Sequence, residues 1–287
     1  MGAVYERELK GYLHGMTGII FISVNLLFSG LMLFLENLKY QDPKMEALIY
    51  YQLMILFLTI PILTMRSIAE DRRQKTDQLL YSLPLSLPKI VLAKYFALLT
   101  TAVLPTLVSL FYPLILSLYG TVNFGTTYTA LLTQALFIAL LCAIGMFISS
   151  LTESPAIAAI LTLTVNAALF LMSFFTTAIP QTELASLIGF AVIIVLVAFL
   201  AYYMTKSVIA AYAVGAVGIV AEIILYFVKK DLFAGAINKV IDAMSVFSRV
   251  DLGTSGILDL SGIVYFVTAA ALFVFLSVQA VEKRRWS

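Results

Sequence analysis

The longest stretch without a charged side chain is the feature that most constrains how this chain can fold. No Asp, Glu, Lys or Arg occurs from residue 95 to residue 152. Five shorter runs are also free of charge, at 11–35, 47–65, 154–182, 184–205 and 260–281. A helix needs about 20 apolar residues to cross the hydrocarbon core of a bilayer. Each shorter run therefore predicts one membrane-spanning helix, whereas 95–152 is long enough for two.

A turn and a lone acid decide the number of spans. Gly120, Asn123 and Gly125 divide the longest run between two aliphatic stretches. A further apolar stretch, 207–228, is interrupted only by Glu222. The predicted fold class is therefore an all-α polytopic membrane helix bundle of about eight spans, a six-span core plus an extra pair. The spans lie near 16–35, 48–67, 91–119, 126–150, 156–178, 185–204, 207–228 and 261–280. The connector between 185–204 and 207–228 is very short, and removing that pair would leave six spans.

Composition excludes several classes of protein. Only 12% of the residues are charged and 62% are hydrophobic, whereas about a quarter of the residues in a soluble domain are charged. An ordinary soluble enzyme is therefore excluded. The net charge is only +2, and the chain has no long basic run, so nucleic acid is not an expected partner. The expected surroundings are a lipid bilayer.

The basic residues predict the orientation of the chain. Positive charge is retained on the cytoplasmic side during membrane insertion. With the N-terminus inside, 12 of the 18 Lys and Arg residues lie in inner segments. Both termini are therefore predicted to be cytoplasmic, and the expected location is the bacterial plasma membrane.

The sequence lacks motifs for catalysis in this chain. It contains no G-x-x-x-x-G-K-[ST] phosphate loop and no H-E-x-x-H zinc motif. His14 and Cys142 are the only residues of their types, and neither has neighbours at metal-ligand spacing. We expect no enzyme activity, cofactor or metal in this chain. Energy from a nucleotide would have to enter through a separate subunit.

A polar insertion between the second and third predicted spans carries the strongest functional signal. Eight charged residues lie from Arg66 to Lys89. Thr76 and Asp77 suit a helix start, and Pro84 suits its end. Three leucines share one face of this short amphipathic helix, namely Leu79, Leu80 and Leu83. Ser86 is predicted to cap the third span. The alternative is a solvated loop whose leucines pack against the inner ends of the spans.

The residues around this insertion resemble a known family. Six runs of residues closely resemble the permease subunits of ABC type-2 transporters. They are Pro61–Leu80, Leu83-Pro84, Lys89–Tyr95, Tyr5–Lys10, Ile148–Glu153 and Val278–Trp286. The C-terminal part is most similar to the gliding-motility-type subgroup. We therefore treat residues 1–287 as a single permease domain.

The resemblance implies that membrane transport and ATP hydrolysis are carried out by separate subunits. Two permease chains, identical or related, would pair with two ATP-binding-cassette ATPase subunits that hold ATP and Mg²⁺. Residues 66–90 would be the cytoplasmic coupling segment. Its expected coupling residues are Glu70, Arg72, Arg73, Thr76, Leu79, Leu80, Leu83 and Pro84. Residues 1–15 would be an amphipathic connecting helix along the inner membrane surface. Its named residues are Arg7, Leu9 and Lys10, with Val4, Leu9, Leu13 and Met16 on the apolar face.

Other parts of the chain carry weaker signals. Residues 229–260 suit an outer re-entrant or interfacial segment. Glu222 is a candidate intramembrane polar site, because a charge there is costly; snorkelling or pairing with another helix is the alternative. Asn166 and Gln134 suit hydrogen bonds between helices.

Two functions follow. The first is a permease, with export favoured by the resemblance. The alternative is an ATP-driven scaffold or mechanotransmitter that acts on an extracytoplasmic accessory protein without moving a solute. An ion-coupled carrier is ranked last, since Glu222 stands alone.

Overall fold

The structure is a computed structural model, and it describes residues 1–76, 86–205, 215–220, 222, 224–226, 233–257 and 259–285. The helices in chain order are α1 (Gly2–His14), α2 (Met16–Met32), α3 (Glu46–Thr64), α4 (Ala69–Arg73), α5 (Leu87–Ser109), α6 (Tyr112–Leu116), α7 (Phe124–Leu151), α8 (Pro155–Ala178), α9 (Glu183–Thr205), α10 (Ala236–Met244), α11 (Val246–Thr254) and α12 (Leu260–Arg285). A π-helix over Leu33–Leu38 continues α2. None of the described residues forms a strand.

Six helices in the described ranges are long and apolar enough to cross a membrane. They are Met16–Leu38, Glu46–Arg73, Leu87–Leu116, Phe124–Leu151, Pro155–Met172 and Leu260–Arg284. These helices coincide with six of the predicted spans and confirm the all-α prediction. Of the extra pair, α9 covers 185–204, whereas 207–228 is described only at 215–220, 222 and 224–226, which are helical. The count of eight spans therefore stays a prediction.

Two compact units make up the chain, and the first comprises Met1–Ala167 and Arg249–Ser287. Helix α7 lies at the centre of this unit and packs against α3, α5 and α12. It is apolar on all sides, which is typical of a helix surrounded by others. At Gly145, a Cβ atom would lie 2.3 Å from Oγ1 of Thr64. Only glycine therefore permits the close approach of α3 and α7.

Local sequence explains where several helices begin. Ser86 occupies the predicted N-cap position of α5, where its side chain makes no capping hydrogen bond, and Pro88 lies in the first turn. Asn123 caps α7 and accepts a hydrogen bond from the backbone N–H of Thr126. The chain break therefore falls at Gly120 and Asn123, where the sequence predicted it.

Asn166 compensates for a proline within the second span. Pro61 lies inside α3 and has no backbone N–H, so the Phe57 carbonyl loses its usual helical donor. The Asn166 amide donates to that carbonyl at 3.5 Å. This contact gives the predicted hydrogen bond between helices a specific partner.

A glycine corner separates α1 from the first span. Gly15 is extended, with φ −81° and ψ 147°. A Cβ atom at Gly18 would lie 2.1 Å from the Tyr12 carbonyl oxygen. The chain can therefore turn here only with a glycine at residue 18.

The second unit comprises Ala168–Ser248. Helix α9 packs against α10, and the Asn238 amide donates to the Ile179 carbonyl at 2.9 Å. Gly235 has φ 67° and opens α10. Two short helices, α10 and α11, lie within the predicted outer segment 229–260, whose placement at the membrane stays a prediction.

Candidate functional site

Lys94 is the centre of a buried, charged cluster in the first unit. The cluster lies at the same end of the unit as both chain termini. Its side chain is only 6% exposed. The ammonium group lies 3.0 Å from Glu8 Oε1 and 2.6 Å from Asp71 Oδ2, and it donates to the Ser67 carbonyl at 3.2 Å. A buried lysine requires such compensation, because an unpaired charge away from water is costly. We call Glu8, Ser67, Asp71 and Lys94 the charged junction.

The charged junction joins three elements that are separate in sequence. Glu8 belongs to α1, Asp71 to α4 and Lys94 to α5. Asp71 precedes the central part of the predicted coupling segment, and Lys94 follows it. The ion pair between them therefore joins α4 to α5, the helices on either side of the middle of that segment.

Glu8 connects α1 to this cluster. Its carboxylate, 16% exposed, also pairs with Arg7 at 2.6 Å. Burial alone would raise the pKa of Glu8, but the charges of Lys94 and Arg7 and their hydrogen bonds outweigh it. The pKa of Glu8 therefore lies below its ordinary value. Tyr5 extends the contact, because its hydroxyl lies 3.0 Å from that of Thr100 in α5.

Ser149 of α7 holds the chain where the second span ends. Its hydroxyl accepts from the backbone N–H groups of Ile68 at 3.2 Å and Ala69 at 3.0 Å. It donates to the Met65 carbonyl at 3.2 Å. One side chain thus satisfies free backbone groups at the end of α3 and the start of α4.

Two arginines attach the neighbouring chain ends. Arg72 is buried and donates to the Ser150 carbonyl at the end of α7. Arg284 pairs with Glu153. Five parts of the chain therefore meet at one end of the unit. They are α1, the starts of α4 and α5, and the ends of α7 and α12.

The other predicted coupling residues differ in their surroundings. Arg73 lies 3.0 Å from Glu70, but it is 61% exposed. The Thr76 hydroxyl donates to Asp71 at 3.3 Å. Leu79, Leu80, Leu83 and Pro84 lie outside the described residues, as does Asp77.

The predicted apolar face of α1, which was expected along the membrane surface, is only partly buried against protein. Val4 and Tyr12 are buried, Leu9 is half-buried, and Lys10 is exposed. Leu13 and Met16 are exposed, as side chains facing lipid would be. The side of α1 that contacts protein therefore contains Val4, Glu8 and Tyr12.

An open cleft of about 390 Å³ lies beside the charged junction. Its lining includes charges of both signs, from Arg7, Glu8, Arg66, Glu70 and Asp71. Within the part of the chain that the structure describes, no three His, Cys, Asp or Glu side chains come together as a metal site would require. The cleft therefore has the character of a polar contact surface.

Glu222 lies in the second unit, away from these residues in sequence. Its side chain is buried, and Oε1 has no hydrogen-bond partner among the residues described. It stays a candidate polar site.

The comparisons with known proteins decide the family. Residues 32–269 match the family model of the ABC-2 family transporter proteins. The chain belongs to this family. Searches of curated proteins and of solved structures found no significant match.

Membership in the ABC-2 family establishes several points. The chain is the membrane permease component of an ABC transporter, and it is a multi-pass membrane protein. Permeases of this family generally have no catalytic role; they work with an ATPase partner and dimerise.

The candidate site contains four residues that the sequence did not identify as site residues, namely Glu8, Asp71, Lys94 and Ser149. One signal was present for Lys94. It lies one helical turn or more inside a span, where a lysine needs an acid from another element. The pattern does not say which acid, because the partners are 86 and 23 positions away.

Proposed function

We propose that this ABC-2 permease exports a substrate, driven by a separate ATPase through residues 66–90. The observation that carries the proposal is the Lys94 contact with both Glu8 and Asp71. The ion pair between Lys94 and Asp71 joins the chain before and after the middle of the segment, so movement of the segment would be passed to α4 and α5. Closure of the ATPase around ATP and Mg²⁺ would displace this segment and, with it, the second and third spans.

Each predicted residue has a role in this proposal. Leu79, Leu80 and Leu83 would insert into the ATPase, and Pro84 would end their helix. Glu70, Arg72, Arg73 and Thr76 would hold the segment at the membrane exit. Arg7, Leu9 and Lys10 would place the connecting helix at the inner membrane surface, with Leu13 and Met16 toward lipid. The cleft beside the charged junction would add to the ATPase contact.

The proposed topology has eight spans, with both termini in the cytoplasm of a bacterial cell. The excess of Lys and Arg in the inner segments supports it. Residues 229–260 would form the outer re-entrant or interfacial segment, and Glu222 an intramembrane polar site. A second permease chain, identical or related, would complete the path. The similarity of the C-terminal part supports the gliding-motility-type subgroup and an extracytoplasmic accessory protein.

The test is co-purification with a candidate ABC ATPase subunit. We expect the double change Leu79→Asp and Leu80→Asp to abolish both co-purification and stimulated ATP hydrolysis. The matched control places two carboxylates just after the π-helix Leu33–Leu38, as Lys39→Asp and Tyr40→Asp, where both residues are exposed. Normal stimulation by the Leu79 and Leu80 variant would contradict the coupling proposal.

A second measurement separates the exporter from the mechanotransmitter. In proteoliposomes, an exporter's ATP hydrolysis responds to its solute. Hydrolysis that responds only to an added extracytoplasmic protein, with no solute moved, would replace export by mechanical transmission.

A further inference from the structure

Four spans of the first unit surround a small polar cavity that the proposed function does not use. Its volume is about 10 Å³, which is close to the minimum that holds one water molecule. Asn25 of α2, Gln52 of α3, Thr106 of α5 and Gln134 of α7 line it, and each is between 2% and 5% exposed. We call this space the polar cavity.

Several side-chain oxygens at the polar cavity have no hydrogen-bond partner. The oxygens Asn25 Oδ1, Gln52 Oε1, Gln134 Oε1 and Thr106 Oγ1 have no hydrogen-bond partner within the described ranges. Three of them are amide oxygens, which accept only, and the Thr106 hydroxyl can donate one hydrogen. Each of these oxygens that stays unpaired in a buried site is costly.

Neighbouring hydrogen bonds fix the orientation of two of these amides. The Asn25 amide nitrogen donates to the Phe21 carbonyl at 2.8 Å and to the Thr59 hydroxyl at 3.1 Å. Both acceptors require a donor, so a flipped amide would place two acceptors together.

Gln52 is fixed in the same way. Its amide nitrogen donates to Ser109 Oγ at 2.9 Å, while that hydroxyl donates to the Pro105 carbonyl at 3.3 Å. The Ser109 oxygen must therefore accept from Gln52. The two amide oxygens that remain unpaired are a consequence of this network.

We propose that the polar cavity binds one water molecule that connects four spans. A water molecule can donate its two hydrogens to the fixed amide oxygens of Asn25 and Gln52. It can accept from the Thr106 hydroxyl and from the amide nitrogen of Gln134, whose orientation no described hydrogen bond fixes. A cation is disfavoured, because no carboxylate lines the cavity and a bare charge inside a bilayer is expensive. The water can exchange partners as helices shift, so the spans can move without leaving an amide oxygen unpaired.

The substitution Thr106→Val gives opposite results with and without this water. If the hydroxyl is bound to water, its loss weakens the site, and we expect the thermal midpoint of the purified full chain to fall by about 2–4 °C. If it has no partner, removing an unpaired polar group leaves the midpoint unchanged or raises it. Thr101→Val is the matched control, because Thr101 is buried in the same helix and donates to the Ala97 carbonyl of its own turn. A midpoint for Thr106→Val at or above that of the unchanged protein overturns the proposal.

Radiolytic labelling in ¹⁸O water detects the water directly. Leu56 and Pro105 line the polar cavity and are buried. We expect hydroxyl radicals from the bound water to label both residues above Leu53 and Leu98, which are equally buried in the same two helices. Equal labelling of the two sets overturns the proposal.

Salt substitution distinguishes a cation. The thermal midpoint is compared in sodium, potassium and choline chloride at one ionic strength. The water proposal predicts the same midpoint in all three. A rise specific to one metal ion that disappears in Thr106→Val would replace the water by that ion. These readouts need no ATPase, so their failure leaves the coupling proposal standing.

Discussion

The charged junction and the polar cavity are both buried polar clusters, but they solve the problem of burial differently. Lys94 is compensated by two acids from other elements at the end of the spans. The polar side chains that line the polar cavity, within the spans, are neutral amides and hydroxyls, and four of their oxygens have no partner among the described residues. Charge is tolerated near water, where solvent and counter-charges reduce its cost, whereas neutral polar groups are cheaper deeper in the bilayer.

The largest expected effect follows from removing the lysine of the charged junction. Lys94→Met keeps the length of the side chain but leaves Glu8 and Asp71 beside each other without their shared cation. Removing one partner of a buried ion pair costs about 3–5 kcal/mol. We expect this loss in the free energy of unfolding, measured by denaturant titration in detergent micelles.

A triple variant separates charge from packing at the same place. Lys94→Met combined with Glu8→Gln and Asp71→Asn removes the uncompensated carboxylates. It should recover much of the stability that Lys94→Met loses. A triple variant as unstable as Lys94→Met would show that the ion pairs are not the cause.

Ser149→Ala tests a neutral contact beside the charged junction. The change leaves the Ile68 and Ala69 N–H groups and the Met65 carbonyl without their side-chain partner. The expected loss is about 1–3 kcal/mol, the cost of unpaired buried backbone groups. Hydrogen exchange should increase at residues 68 and 69. The nearby Ser150, whose hydroxyl donates to the Phe147 carbonyl of its own turn, provides the control change Ser150→Ala, for which exchange at those residues should not change.

Asn166→Leu tests a neutral contact within the spans. It removes the Asn166 amide donor to the Phe57 carbonyl, for which Pro61 cannot supply the usual helical N–H. Polar contacts between membrane helices contribute about 0.6 kcal/mol on average and up to about 1.7 kcal/mol. We expect a loss in that range. Combining it with Pro61→Ala, which restores the helical donor, should reduce the effect of Asn166→Leu, and full additivity of the two changes would contradict the assignment.

The pH dependence of stability should report on Glu8. Its pKa is lowered on folding from an ordinary value of 4.5, so its contribution is present above that pH and is lost as the pH falls through the folded value. The thermal midpoint of the unchanged protein should therefore decline faster below about pH 4.5 than that of Glu8→Gln. If the thermal midpoints of the two proteins differ by a constant amount from pH 7 to pH 4, the lowered pKa of Glu8 does not contribute to stability as expected.

The smallest effect is expected at the exposed ion pair. Arg73→Gln breaks the contact with Glu70, but Arg73 is 61% exposed. Exposed pairs contribute about 0.2–1 kcal/mol and weaken further in salt. We expect a change in the free energy of unfolding near zero at 0.5 M NaCl, where Lys94→Met remains strongly destabilising. A large loss in the free energy of unfolding for Arg73→Gln would contradict the prediction that exposed ion pairs contribute less than buried ones.

Much of the fold could be predicted from the sequence, because membrane spans follow from composition over about 20 residues. The chain break at Gly120 and Asn123 and the N-cap position of Ser86 were predicted from local turn and cap chemistry. The residues through which α1 contacts protein, Glu8 and Tyr12 beside Val4, were not predicted, because the apolar stripe of an interfacial helix faces lipid as readily as protein. The extra pair of predicted spans between 185 and 228 shows the same limit, since apolar composition does not distinguish a full span from a shorter helix.

For the site, the sequence by itself determined where charge is concentrated, from Arg66 to Lys89, and that neither a phosphate loop nor a zinc motif is present. Only the tertiary structure decided that Lys94 binds Glu8 and Asp71, that Ser149 caps the exit of the second span, and that four polar side chains meet at one cavity. The physical reason is distance along the chain. Hydropathy and caps act over a few turns of helix, whereas a buried charge or amide is satisfied by whichever distant element the fold brings within about 3 Å of it.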